Sequence, residues 1–359
     1  KPARQIHFWQ RLSGRQKLAI LFSFIVLSGG LAAGLSIALK EPVRQIEKSP
    51  LKVEAEPPPK PTTVASPLTG IQVAPEAAAR PATAIMIENS MDARPQSSLH
   101  EAGVVFEAIA EGGITRFLAL YQETNPQYIG PVRSLRPYYI DLAAPFDAGI
   151  AHVGGSPEAL AQIRGGGKDL DQFFNAGAYW RIPSRRAPHN MYTSFERLDA
   201  LNKAKGYTNS KYTSWPRKED KPLPAPNAKS INVAISSVNY NSRYDYDPAT
   251  NSYLRSQAGR PHISTSSEAD GAGQQLRPKN VVVLVVPYSL SGKYSVYGVN
   301  GSGTAFIFQD GGVTQANWSK AGRAEQFSFT DAAGQPVALN AGQTWVALVA
   351  AANRVTFTP

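Results

Sequence analysis

The 359-residue chain has no cysteine and carries 37 Lys and Arg against 27 Asp and Glu, a formal charge of +10. The missing thiols exclude a disulfide framework and a lipidated-cysteine anchor, so the fold must rest on burial. Five cations (Lys1, Arg4, Arg11, Arg15, Lys17) precede residue 18, which leaves the rest only mildly basic. That balance fits anionic wall polymers or lipid head groups, and equally a solvated surface with no charged partner.

Residues 1–17 read as a cytoplasmic basic tail and 18–39 as a transmembrane helix. Leu18 to Leu39 contains no charge and would give ~33 Å of helix against a ~30 Å hydrocarbon core. The cationic flank keeps the N-terminus inside, so the expectation is a single-pass cell-membrane protein with extracytoplasmic domains. A cleaved signal peptide is the alternative. Ser36-Ile37-Ala38 has the small-x-small pattern, but the apolar run exceeds the usual ~7–15 residues. Either form puts the remainder outside. A soluble core helix would show a polar stripe, which this segment lacks. Gly30 and Gly34 have the spacing for close helix approach, so a dimer through them stands beside the plain abundance of glycine in membrane helices.

Residues 40–67, with Pro57-Pro58-Pro59 and Pro61, form a Pro-rich linker that cannot bury a core. A first domain follows at 68–206. Strands are expected at 83–89, 104–110, 114–122 and 148–153, and helices at 157–163 and 195–205. A connector at 207–227 includes the proline- and charge-rich stretch from Trp215 to Asn227. The second domain, 228–359, shows strands at 230–236, 281–286, 304–309, 325–330 and 345–350 with Gly-containing turns between them. The expected class is α+β: a mixed α/β first domain, then a mostly β second domain.

Candidate chemistry concentrates in the first domain. Glu88-Asn89 ends a strand, and Arg94 and Gln96 follow in a loop. Glu107 and Glu111 are four apart and would share a face of a continuous strand, with Arg116 near enough to pair. Such groups form either structural ion pairs or an acid/base site. Arg133 and Arg136 lie beside prolines in a rigid cationic loop suited to phosphate or carboxylate, unless it is ordinary surface. In the run from His152 to Pro157, two glycines turn a strand into a helix with Ser156 as N-cap, a plain capped turn or an anion cradle. His189 and Asn190 sit in a loop with Arg185 and Arg186. The histidines His152 and His189 are acid/base candidates. They lack metal-ligand spacing, so no metal and no cofactor is expected, and no basic-aromatic stripe suggests nucleic acid.

These stretches resemble the YerB-type proteins, membrane-anchored lipoproteins of bacteria. The matching segments include 67–70 (PLTG), 80–89 (RPATAIMIEN), 93–99, 104–121, 130–143, 152–160 and 187–194. In the second half they include 253–262 (YLRSQAGRPH), 301–312, 317–320 and 339–349. The resemblance implies two units occurring together, an extracytoplasmic location and an envelope role, with no established reaction. An uncleaved span in place of a lipidated cysteine departs from that pattern. By this resemblance the polar residues of the motifs become the site candidates: Glu88, Asn89, Arg94, Gln96, Arg116, Arg133, Arg136, Ser156 and Asn190 for a ligand, and Glu107, Glu111, Asp141, His152 and His189 for catalysis. Their density implies one cleft in the first domain. It would hold an anionic or sugar-containing wall ligand or a lipid-linked precursor. An enzyme acting on wall glycan or polyprenyl phosphate, and a structural partner of wall-synthesis proteins, are the alternatives.

Overall fold

Ten segments rich in β-branched and aromatic residues line up in one mixed sheet. They are β1 (Thr83–Glu88), β2 (Val104–Ile109), β3 (Thr115–Tyr121), β4 (Gly149–His152), β5 (Asp169–Asp171), β6 (Asn280–Val285), β7 (Gly301–Gln309), β8 (Gly312–Lys320), β9 (Ser328–Thr330) and β10 (Thr344–Val349). Their order across the sheet is β9-β8-β7-β6-β10-β2-β3-β1-β4-β5. Strand β10 runs parallel to β6 on one side and to β2 on the other, with Val346 opposite both Val282 and Phe106. The segments expected as separate domains at 68–206 and 228–359 therefore share a sheet. The reason is burial: β2 and β6 are covered on both faces, and a strand of that kind needs a hydrogen-bonding partner on each side.

The computed structural model describes residues 12–23 and 62–359. Lys60–Pro359 is one unit and holds every strand of the described residues. Residues 14–23 are helical, and among the described residues no helix is long and apolar enough to cross a membrane. Most of the expected span 18–39, with Gly30 and Gly34, falls outside the described residues, as do most of the tail and the linker.

Alternation along the strands assigns two faces. Ala84, Met86, Phe106, Leu118, Val282 and Val346 point to one side. There α1 (Pro137–Ala143) and α2 (Pro157–Arg164) cover them with Tyr139, Leu142, Ala159 and Ile163. Ile85, Ile87, Val105, Phe117, Val283 and Trp345 point to the other side. They meet α3 (Phe195–Ala204) and a five-stranded antiparallel sheet. That second sheet runs in the order Arg260–Pro261, Ser252–Gln257, Ser242–Asp247, Ser230–Val233, Val355–Thr358.

The strand-rich α+β class holds, and the expected strands and helices of the first half are present within two residues of their bounds. The α1 helix and the strands at 242–247, 252–257, 312–320 and 355–358 were not anticipated. Their sequences are short or polar, and packing rather than propensity decides them. The connector is docked rather than free. Trp215 is buried and donates its indole N–H to the Phe327 carbonyl at 2.9 Å, while Arg217–Lys218 pairs with Leu339–Asn340.

Strands β1, β2, β4, β5, β6 and β10 all point the same way. The chain comes in at their amino ends. A Cβ on Gly103 would lie 2.7 Å from the Leu68 side chain, so only glycine permits this approach. Gly342 donates to the Thr69 carbonyl there, at 2.9 Å. At the opposite, carboxyl ends, β1 and β4 pair only as far as Ile85–Ala151. Above that point residues 130–136 fill the gap between them. Arg133 N–H donates to Met86 O, and Val153 N–H donates to Arg133 O.

Candidate functional site

The sequence-derived candidates divide into three groups, not one cleft. The first is a buried polar ring between the two sheets. Glu107 faces the second sheet together with Val105, and its carboxylate is fully enclosed, as is Arg255. Arg255 Nη2 donates to Glu107 Oε2 at 2.8 Å, Trp345 Nε1 donates to the same oxygen at 3.0 Å, and Thr115 Oγ1 donates to Oε1 at 3.1 Å. Thr115 accepts from Asn89 Nδ2 at 2.7 Å, and Asn89 Oδ1 accepts from Gln96 Nε2 at 3.0 Å. Gln96 Oε1 accepts from His262 Nε2 at 2.8 Å. His262 Nδ1 accepts from Arg255 and closes the ring. Arg94 seals it from outside, donating to Asn89 Oδ1 at 3.1 Å and to Asn239 O at 2.9 Å. A cavity of about 590 Å³ lies against Arg94, Gln257, Arg260 and His262.

Glu107 and Glu111 thus do not share a face, because β2 ends at Ile109 and Glu111 sits in the turn beyond it. Each partner in the ring is hydrogen-bonded, which is what a low-dielectric interior demands of polar groups. Burial, with Arg255 and Arg94 beside it, holds the His262 imidazole well below its ordinary value of 6.5. The native state therefore keeps His262 neutral, while the unfolded chain takes up a proton below that pH. The contribution is full above about pH 6.5 and is lost as the pH falls below it. We expect up to ~1.4 kcal/mol of stability lost per pH unit there. The check is to compare urea midpoints of wild-type and His262→Gln between about pH 7 and about pH 5, where the variant should show the shallower slope.

The second group lies at the carboxyl ends of the parallel strands, where open sheets of this kind place ligands. Glu88 and Arg116 are cross-strand neighbours on β1 and β3. Arg116 Nη2 donates to Glu111 Oε2 at 2.9 Å and Nη1 to the Ser134 carbonyl at 3.1 Å. Arg136 pairs with the other Glu111 oxygen and lies 5.4 Å from the centre of the Tyr294 ring. Glu88 Oε1 accepts from Ser90 Oγ at 2.9 Å, stands 3.0 Å from His189 Nδ1, and is 3.3 Å from Arg133 Nε. Burial, partly offset by Glu88 and reinforced by Arg116, lowers the Arg133 guanidinium from its ordinary value. Three guanidiniums face two carboxylates, so the enclosed part of the cluster carries one surplus positive charge, with the exposed, solvent-screened Asp92 3.9 Å from His189 Nε2 at its rim.

Ser90 Oγ and Glu88 Oε1 both approach the same ring nitrogen of His189, Nδ1, at 3.2 and 3.0 Å. A serine–imidazole–carboxylate relay needs them on opposite nitrogens, so this arrangement does not form such a relay at the Ser90 hydroxyl.

The third group is architectural. His152 is fully enclosed, with Nδ1 at 2.8 Å from Gly154 O and Nε2 at 3.0 Å from Asp169. Ser156 caps α2 by accepting from the Ala159 N–H at 3.3 Å. Asp141 accepts from Gln162 and Arg323, tying α1 to α2 and to the second half. Asn190 donates to the carbonyls of Ile182 and Arg185 and shapes its own loop. Sequence reasoning missed Ser90, Thr115, Arg255, His262 and Trp345. Arg255 and His262 lie in the YLRSQAGRPH stretch, whose three basic residues (with Arg260) in an otherwise uncharged run were the available signal.

The fold and cluster define a strand-rich α+β protein with a group of charged residues at the carboxyl ends of its parallel strands. The chain belongs to the family described as "Protein of unknown function (DUF3048)": its N-terminal domain model matches residues 68–208 and its C-terminal domain model residues 231–346. It is 31% identical over 265 residues to "Putative lipoprotein YerB" of Bacillus subtilis (strain 168), covering 71% of this chain and 78% of that protein. The crystal structure of YerB from Bacillus subtilis superposes with a TM-score of 0.74 at 27% identity, over 82% of this chain and 100% of that one.

Proposed function

We propose that the chain is a membrane-attached, extracytoplasmic protein that binds an anionic ligand at the Arg116–Arg133–Arg136 cluster. The location is supported by the relative named "Putative lipoprotein YerB" and by the uncharged run from Leu18 to Leu39 behind a cationic flank. Binding rests on one observation. Arg116 and Arg136 are spent on Glu111 and on carbonyls, but the Arg133 guanidinium makes no hydrogen bond among the described residues and its side chain is 24% exposed. A half-buried guanidinium that is ion-paired to Glu88 at 3.3 Å but makes no hydrogen bond is costly unless an acceptor reaches its N–H groups. Arginine's planar fork suits phosphate or carboxylate, and the surplus charge of the cluster favours an anion.

Inorganic phosphate titrated calorimetrically into the intact chain tests this. Wild-type protein should bind, and Arg133→Gln should bind at least about tenfold more weakly, as expected for losing a hydrogen bond to a charged group. Equal affinity of the two proteins, or no binding by either, removes the reading.

A further inference from the structure

The geometry points to a ligand that carries a hydroxyl group beside its anion, a phosphorylated polyol or sugar, with Glu88 reading the hydroxyl. This rests on the anion reading above and narrows it. The Glu88 side chain is 4% exposed, and its two oxygens are used unequally. Oε1 takes the Ser90 hydroxyl and His189, while Arg133 Nε stands 3.3 Å away in ion-pair contact but outside hydrogen-bond geometry. Oε2 is buried and has no hydrogen-bond partner. A carboxylate oxygen buried in that state loses its solvation without replacement. Two hydrogen bonds fix Glu88 through one oxygen and leave the other to be met by a donor.

The donor must arrive together with an anion. Arg133 Nε is also buried and also without a hydrogen-bond partner, and it lies beside Glu88. An unmet acceptor and an unmet donor side by side match a hydroxyl, which gives one hydrogen and accepts another. The outer guanidinium nitrogens of Arg133 are then left for the anion. A ligand reaches Glu88 along Arg133 and His189, which are 24% and 20% exposed. An amino acid zwitterion could also present a donor and an anion. Its ammonium would add a positive charge to a cluster that already has one in surplus, so charge favours the neutral hydroxyl.

Calorimetric titration of the intact chain with inorganic phosphate, sn-glycerol 3-phosphate, glycerol and alanine separates these cases. The expected result is that glycerol phosphate binds at least about tenfold more tightly than phosphate, the effect of one hydrogen bond to a charged group. Glycerol and alanine should bind more weakly than either. In Glu88→Gln the preference for glycerol phosphate over phosphate should shrink to less than about threefold, since a neutral amide makes the weaker bond. Phosphate binding without a glycerol phosphate preference overturns this inference and leaves the anion reading standing. The same holds if Glu88→Gln keeps the full preference, or if alanine binds more tightly than glycerol phosphate. Absence of binding by both phosphate and glycerol phosphate overturns both.

Discussion

Residues 68–206 expressed without the rest of the chain will not give a cooperatively folded protein. Strand β10 lies between β2 and β6 and hydrogen-bonds to both. Without it, β2 becomes an edge strand whose Val104, Val105 and Phe106 are apolar on both faces. The face bearing Ile85, Val105 and Phe117 also loses Ile231, Tyr244 and Tyr253 of the second sheet. Each such side chain is worth roughly 1.5–3 kcal/mol of burial, and folded domains have only ~5–15 kcal/mol in total. An unpaired apolar edge is moreover a template for aggregation. The expected outcome is a poorly soluble fragment without dispersed amide resonances, and recovery of the native spectrum when 207–359 is co-expressed. A monomeric fragment with a sigmoidal denaturation curve would contradict this account.

The second large effect belongs to the ring between the sheets. Arg255→Met should destabilise the protein by ~3–5 kcal/mol, because it leaves the Glu107 carboxylate buried against an uncharged side chain. The Glu107 oxygens would retain Trp345 and Thr115 but lose the guanidinium at 2.8 Å. That guanidinium also lies 4.3 Å from the centre of the Trp345 ring, and this contact would go as well. Pairing the change with Glu107→Gln should recover at least half of the loss. The amide still accepts from Trp345 and Thr115, and no charge is stranded. Urea denaturation of the two single variants and the double variant forms a cycle, with an expected coupling of about 2 kcal/mol or more. An Arg255→Met protein within about 1 kcal/mol of wild type would show that the pair contributes little.

Local pattern carried the sequence reading of individual elements but not their assembly. The runs at 83–88, 104–109 and 344–349 declare themselves by β-branched content. Nothing in either run says that Val346 will sit opposite Phe106, since pairing across more than two hundred residues has no periodic signature. The proline-rich stretch after Trp215 looks like a domain boundary, yet Trp215 itself is buried in the shared core. The site was legible in part. Glu88, Glu111, Arg116, Arg133, Arg136 and His189 come together as charged residues at strand ends. Asn89, Gln96 and Glu107 are equally polar on paper, but they point inward, Glu107 to Arg255, Gln96 to His262 and Asn89 to Thr115, partners that register alone determines. His152 and Ser156 were legible as a strand end and a helix cap, and that is where the structure uses them.

The way the chain comes in decides which end of the molecule can be reached. Leu68 and Thr69 close against Gly103 and Gly342, a full strand length from Glu88 and Glu111. A molecule that contacts Leu68 and Thr69 therefore meets the amino ends of the parallel strands, and one that contacts Arg133 meets the opposite edge of the same sheet.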